Sequence, residues 1–252
     1  MNDASGLYLD LMERCLTDLL YDDVDQRIRT EGLDWPARAH TMIGLKRLAN
    51  IRTCVEDVLA KKVPGDLCEA GAWRGGAAIY MRAILEGNGD ATRRVWVADS
   101  FRGLPLPDPA RYPQDAGDQH HTHQELAVSL EQVKANFARY RLLDDRVRFL
   151  SGWFRDTLPS APIDRLAVLR IDADMYESTI QVLEALYDRV SPGGYVIVDD
   201  YGGIKQCRDA VHDFRTARGI HAPIKPIDWT GVYWLLPGAP ASGSSAEGAA
   251  TP

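Results

Sequence analysis

The 252-residue chain has few cysteines, and the four present, Cys15, Cys54, Cys68 and Cys207, form no CxxC pair. That spacing signals neither a zinc site nor a disulfide framework, so reduced thiols are expected. The chain also lacks any window near the roughly 20 apolar residues that a membrane span requires. Its first residues, MNDASGLYLDLMERC, lack the basic flank and apolar run of a signal peptide. Positive charge is in deficit: 29 Lys and Arg face 36 Asp and Glu, a net charge of −7. No basic patch offsets it, so neither nucleic acid nor a membrane is an expected partner. A cytoplasmic protein is the expectation. No internal repeat is apparent.

What is present suits a soluble globular protein: 45% hydrophobic and 26% charged residues, over a length that fits one α/β domain with decorations. Residues 1–63 read as a helical N-terminal extension. Leu7, Leu9, Leu11, Met12, Leu16, Leu19 and Leu20 recur near helical spacing. A second helical stretch runs from Thr41 through Ile43, Leu45, Leu48, Ile51, Val55 and Leu59 and stops at Pro64-Gly65. The stripe from Leu7 to Leu20 needs a covering surface, on its own subunit or on a second copy, and a homodimer is expected.

Residues 64–236 switch to short apolar runs alternating with helices. Strands are predicted at 67–70, 95–98, 147–150, 166–171 and 195–198, with helices near 75–85, 125–140, 178–190 and 205–218. This alternation predicts an α/β fold with a mostly parallel sheet and helices on both faces. Two runs, 224–227 and 232–236, flank Asp228-Trp229-Thr230-Gly231 and predict an antiparallel C-terminal hairpin. The stretch 101–124, rich in Pro, Asp, Gly and His, predicts a lid, a binding loop or disorder. The tail 237–252 has almost no apolar bulk and is expected to be disordered. Trp35, Trp73, Trp153, Trp229 and Trp234 are expected in core or hairpin packing.

Three acidic motifs carry chemistry. Asp66-Leu-Cys-Glu69-Ala-Gly71-Ala-Trp-Arg-Gly75-Gly76 follows the first strand and opens a helix. It is not GxGxxG, so a pyrophosphate cradle is not indicated. A strand-end carboxylate at Glu69 would repel a pyrophosphate but accept from an ammonium group, such as that of a methionine-type cofactor. Gly71 would allow close backbone approach; a purely structural glycine turn is the competing reading. Asp99 ends the next strand, thirty residues after Glu69. An acid there can take ribose hydroxyls, or cap a helix.

The third motif is the strongest. Leu166-Ala-Val-Leu-Arg-Ile-Asp172-Ala-Asp174 and Tyr195-Val-Ile-Val-Asp199-Asp200 end neighbouring predicted strands. Their carboxylates would meet at the ligand-binding edge of the sheet. Such a cluster repels itself unless a cation neutralises it, and a hard, oxygen-preferring ion such as Mg²⁺ or Mn²⁺ fits; solvated strand-end acids are the alternative. His120, His121 and His123 cluster in the long loop. They lack a clear fourth ligand for zinc, so contact with substrate is preferred.

The chain resembles the macrocin O-methyltransferase family of antibiotic deoxysugar methyltransferases. The resemblance rests on stretches that include His40-Thr-Met-Ile-Gly, Trp73-Arg-Gly-Gly, Val95-Trp-Val-Ala-Asp-Ser-Phe, Arg148-Phe-Leu-Ser-Gly-Trp-Phe, Leu166 through Asp174, Ser191-Pro-Gly-Gly, Val198-Asp-Asp-Tyr and Gly231-Val-Tyr-Trp, from residue 7 to about 235. The loop around His120–Gln124 departs most from that family's pattern. The resemblance implies a Rossmann-like class I methyltransferase fold and S-adenosylmethionine as methyl donor. It implies a metal site at Asp172, Asp199 and Asp200, with Asp174 close by.

Combined with the residue reading, this predicts methyl transfer to a hydroxyl of a small glycosylated natural product. Asp174 is the expected base, with Asp172 the fallback. Glu69 is expected to hold the methionine ammonium, Asp99 the ribose, and Gly71 the close approach, with Met42, Ser100 and Trp153 as further cofactor neighbours. A catechol-type methyltransferase and a non-catalytic cofactor-binding protein of the same fold are the alternatives.

Overall fold

The computed structural model describes residues 4–21 and 25–238. The expected disordered tail lies, from residue 239 on, outside the described residues.

Seven strands form one sheet. They are β1 (Asp66–Ala70), β2 (Val95–Asp99), β3 (Val147–Ser151), β4 (Leu166–Ile171), β5 (Val190–Val198), β6 (Lys225–Pro226) and β7 (Val232–Leu235). The order is β3-β2-β1-β4-β5-β7-β6, parallel from β3 through β5, with β7 antiparallel to β5 and β6 antiparallel to β7. The chain moves outward from β1 to β3, then returns to start β4 on the other side of β1. That reversal opens a crevice at the carboxyl ends of β1 and β4, where open α/β sheets bind ligands.

Helices cover both faces. On one lie α1 (Ala4–Leu16), α3 (Leu45–Ala60), α4 (Gly76–Gly87) and α5 (Leu130–Arg139); a short α2 (Gln26–Glu31) precedes α3. Residues Gly76 through Leu85 of α4 are all buried, so α4 is a helix enclosed between the sheet and the N-terminal helices. On the other face lie α6 (Phe154–Thr157), α7 (Tyr176–Leu186) and α8 (Lys205–Ala217). In α8, Cys207, Ala210, Val211 and Phe214 recur on one face and bury it, leaving the polar face outward.

Several expectations are corrected. Helix α5 begins at Leu130, not at 125, because the Ser129 side chain accepts from the Gln132 amide (3.2 Å) and sets the start there. Strand β5 begins at Val190, ahead of the predicted 195; a register irregularity against β4 absorbs Ser191-Pro-Gly-Gly within the strand. Trp35 and Trp229 are about half exposed, not packed in the core; Trp234 is fully buried. The stripe on α1 is largely covered by its own subunit: Leu9, Met12 and Leu16 pack into the core shared with α4, while Leu7 and Leu11 stay exposed.

The stretch 101–124 is ordered by a buried carboxylate. Asp115, in a short 3-10 turn, accepts from the Tyr176 and Glu177 amides (both 2.8 Å) and so caps the start of α7. The loop is thereby fastened beside the carboxyl ends of β4 and β5.

Candidate active site

A cavity of about 330 Å³ opens at this carboxyl edge. Glu69, Gly71, Asp99, Ser100, Met42 and Trp153 all line it, and so do Asp172, Asp174, Asp199, Asp200 and His120. Every cofactor, metal and base candidate read from the sequence therefore faces one space.

The turn after β1 is shaped by two demands. Gly71 has φ of +91°, and a Cβ there would run into the Asp172 carbonyl oxygen. This glycine lets the ends of β1 and β4 close on each other. The turn is then fixed from β2: one Asp99 oxygen accepts from the Ala72 amide and the other from the Phe101 amide, both at 2.7 Å. Asp99 thus already holds the turn, and it also lines the cavity. Burial pushes the Asp99 pKa up, against the pull of these amides. Met42 arrives on the segment that crosses the start of α4. The Arg74 guanidinium pins that segment through the Pro36, Ala37 and Ala39 carbonyls, and Gly76 leaves room for His40 above it.

Glu69 is 1% exposed in the middle of the sheet edge. Its register partner on β4 is Arg170, whose guanidinium meets Glu69 Oε1 at 2.6 Å. The second oxygen of Glu69 is buried with no hydrogen-bond partner. Burial pushes the Glu69 pKa up to about 8, with Arg170 pulling it back. A carboxylate so placed gains from a second cation, and an ammonium group supplies one.

The acidic cluster is not a bare heap of like charges, which corrects the premise that only a bound cation could neutralise it. Arg170 also contacts Asp172 (2.9 Å) and Asp199. Arg47, reaching in from α3, pairs with Asp199 and with Asp228 of the hairpin (2.9 Å). Both guanidiniums are buried. Burial works against ionisation of Asp199, but these two arginines outweigh it and hold its pKa below the usual carboxylate range. Asp172, Asp174 and Asp200 are pushed up, first by burial and then by one another or by Asp199, with Arg170 pulling Asp172 and His120 pulling Asp174 back.

The arginines therefore leave the cluster short of positive charge. One oxygen from each of Asp172, Asp199 and Asp200 lies within 4.8 Å of the others. This is an all-carboxylate donor set beside a solvent-accessible cavity, and it suits a hard divalent ion that keeps several water or substrate ligands. Asp174 is not in the triad. Its backbone adopts φ of +56°, its amide donates to Asp200 Oδ2 at 3.1 Å, and the residue lines the cavity.

Several site residues escaped the sequence reading. Arg170 was the most legible, a lone guanidinium inside an otherwise apolar strand; such a residue demands a buried carboxylate. Arg47 and Asp228 are far apart in sequence and carry no local signal. The loop histidines form no metal cluster. Instead, His120 Nδ1 bonds Asp118 Oδ2 at 2.7 Å, and His120 alone of the three lines the cavity. Burial works to lower its pKa, but the Asp118 hydrogen bond and the charges of Asp174 and Asp118 raise it overall.

The sheet order, the switch point between β1 and β4 and the acid-lined crevice define a class I methyltransferase fold. The solved O-methyltransferase NovP has this architecture: TM-score 0.91, 53% identity, 92% of this chain and 99% of that one covered. The O-methyltransferase from Bacillus cereus, solved in complex with SAH, shares the fold at TM-score 0.54 and 14% identity, with 92% of this chain and 99% of that one covered. The family model for Macrocin-O-methyltransferase (TylF) matches residues 7–235, and the chain belongs to that family. A relative from Streptomyces olivaceus, 8-demethyl-8-(2,3-dimethoxy-alpha-L-rhamnosyl)-tetracenomycin-C 4'-O-methyltransferase, is 57% identical over 244 residues, covering 92% of this chain and 93% of the relative. Demethyldecarbamoylnovobiocin O-methyltransferase from Streptomyces niveus is 53% identical over 250 residues, covering 92% and 94%. The chain is an O-methyltransferase, and S-adenosylmethionine is its methyl donor.

Proposed function

We propose that this enzyme is metal-dependent and methylates a sugar hydroxyl of a glycosylated antibiotic or a related natural product. The observation that carries the proposal is the Asp172, Asp199 and Asp200 oxygen cluster in the cavity that Glu69 and Asp99 also line. Named relatives act on 8-demethyl-8-(2,3-dimethoxy-alpha-L-rhamnosyl)-tetracenomycin C and on demethyldecarbamoylnovobiocin.

The hydroxyl oxygen attacks the sulfonium methyl in line; a C–O bond forms, the S–C bond breaks, and S-adenosylhomocysteine leaves. Asp174 takes the hydroxyl proton, being close to the triad yet outside it; Asp172 is the fallback. Glu69 holds the methionine ammonium, Asp99 the ribose, and Met42, Ser100 and Trp153 flank the cofactor. Asp172, Asp199 and Asp200 would hold Mg²⁺ or Mn²⁺, which supplies charge to orient neighbouring hydroxyls and lower the pKa of the reacting one.

The test sets two acceptors side by side, 8-demethyl-8-(2,3-dimethoxy-α-L-rhamnosyl)-tetracenomycin C and catechol, each with labelled methyl donor. Label in the rhamnoside supports the proposal. Label in catechol alone shifts the enzyme to the phenolic class, and label in neither removes that rhamnoside as the acceptor. A homodimer completes the reading, resting on exposed Leu7 and Leu11 of α1. No helix among the described residues is long and apolar enough to cross a membrane. Light scattering that shows a monomer at micromolar concentration would remove the dimer.

A further inference from the structure

One buried carboxylate of the cavity has no part in the chemistry described above. Glu177 stands in the first turn of α7 with its side chain 4% exposed. Oε1 accepts from Gln181 Nε2 at 2.9 Å and from the Arg155 guanidinium at 3.4 Å. Oε2 is buried and has no partner. Burying a charged oxygen without a partner is unfavourable, so such an atom calls for a donor. Both Glu177 and Gln181 line the cavity.

The position identifies the donor. Along the sheet edge, Glu69 is the penultimate residue of β1, Asp99 ends β2, and Trp153 and Phe154 follow β3 after Gly152. An adenosyl ligand with its ammonium at Glu69 and its ribose at Asp99 sends its base toward the turn after β3. Arg155 lies in α6, which follows that turn, and touches Glu177, so Glu177 borders the same end of the cavity. Trp153 and Phe154 offer flat apolar surface there, suited to a purine face. The edge of adenine that a carboxylate can read is the exocyclic amine, a neutral donor.

We infer that Glu177 reads the 6-amino group of the cofactor's adenine, with Gln181 holding the carboxylate in place. This inference rests on S-adenosylmethionine binding across Glu69 and Asp99. A structural alternative exists, because a negative charge in the first turn of a helix is favourable in its own right.

Calorimetry on the full chain separates the two without any acceptor. The probes are S-adenosylhomocysteine and its deaminated analogue S-inosylhomocysteine, which carries a carbonyl in place of the amine. Wild-type protein should prefer the adenosyl thioether by about ten- to a hundredfold, the value of a hydrogen bond to a charged group. Glu177→Gln, whose amide can donate to the carbonyl, should lose or reverse that preference. Glu177→Ala should bring the adenosyl affinity down toward that of the analogue and leave the analogue unchanged. Equal wild-type affinities for the two probes would overturn the inference, as would a preference preserved in a folded Glu177 variant. Failure of both probes to bind the folded wild type would instead remove the cofactor placement on which the inference rests.

Discussion

Replacing Arg47 by Met tests how the acidic cluster is held together. The Arg47 side chain is 7% exposed, and its two partners, Asp199 and Asp228, are 4% and 0% exposed. Removing one member of a buried ion pair typically destabilises by about 3–5 kcal/mol, because the remaining charge is left uncompensated. Asp228 retains the Thr230 and Gly231 amides (3.0 and 2.8 Å), and Asp199 retains Arg170, so the lower part of that range applies. At about 2–4 °C per kcal/mol for a chain of this size, Arg47→Met should melt roughly 6–12 °C below wild type in chelator. Mg²⁺ should then raise the variant's melting temperature more than the wild type's, since a divalent ion replaces the charge that Asp199 has lost. A ligand that binds only the folded state at a hundred times its Kd adds about 2.7 kcal/mol. Differential scanning fluorimetry in chelator and in a Mg²⁺ titration reads both effects. A melting temperature in chelator within about 2 °C of wild type, less than the ~6 °C that the weakest such loss implies, would refute the stabilising role of Arg47. Equal Mg²⁺ responses in the two proteins would separate Asp199 from the metal site.

Other substitutions probe other parts of the site. Asp174→Asn should reduce single-turnover methylation about 10²–10⁴-fold at saturating Mg²⁺ while calorimetric S-adenosylhomocysteine affinity stays unchanged; a wild-type rate would transfer the base role to Asp172. Gly71→Ala should destabilise by more than the roughly 1–2 kcal/mol of left-handed backbone alone, because the new Cβ meets the Asp172 carbonyl; an unshifted urea midpoint would count against that close approach. His120 has a raised pKa in the folded protein, so its pairing with Asp118 stabilises fully below about pH 6.5, its ordinary value, and is lost as pH rises through the folded value. The melting-temperature gap between wild type and His120→Gln should therefore shrink from pH 6 toward alkaline pH in ~0.1 M salt, whereas a constant gap would contradict the pairing.

Much of this architecture was legible because it is written locally. The alternation of apolar runs and helices from residue 64 marks the parallel sheet, and the acids at 69, 99, 172, 174, 199 and 200 all fall at strand ends. A strand end in such a sheet is a ligand edge, so residue type and position together placed these acids in one cavity. What stayed hidden depends on contacts across the chain. Arg47 and Asp199 are separated by 152 positions, and only the packing of α3 against the sheet edge joins them. The length of β5 was also hidden, since only the register irregularity against β4 shows that Ser191-Pro-Gly-Gly lies within the strand. Helical periodicity on α1 could not say whether Leu9, Met12 and Leu16 face a partner or their own subunit; α4 answers that. The role of Asp115 was equally hidden, since nothing in a loop aspartate announces which helix it caps.

The most direct measurement is methyl transfer, from labelled methyl donor to whichever acceptor takes the label in the side-by-side test, in excess chelator, followed by restoration with Mg²⁺ or Mn²⁺. The expected result is loss of turnover in chelator and recovery with either ion, in a protein that still binds S-adenosylhomocysteine throughout. Asp199→Ala should not recover. Full turnover in chelator would contradict the account and leave Asp172, Asp199 and Asp200 as a charge network held by arginines alone.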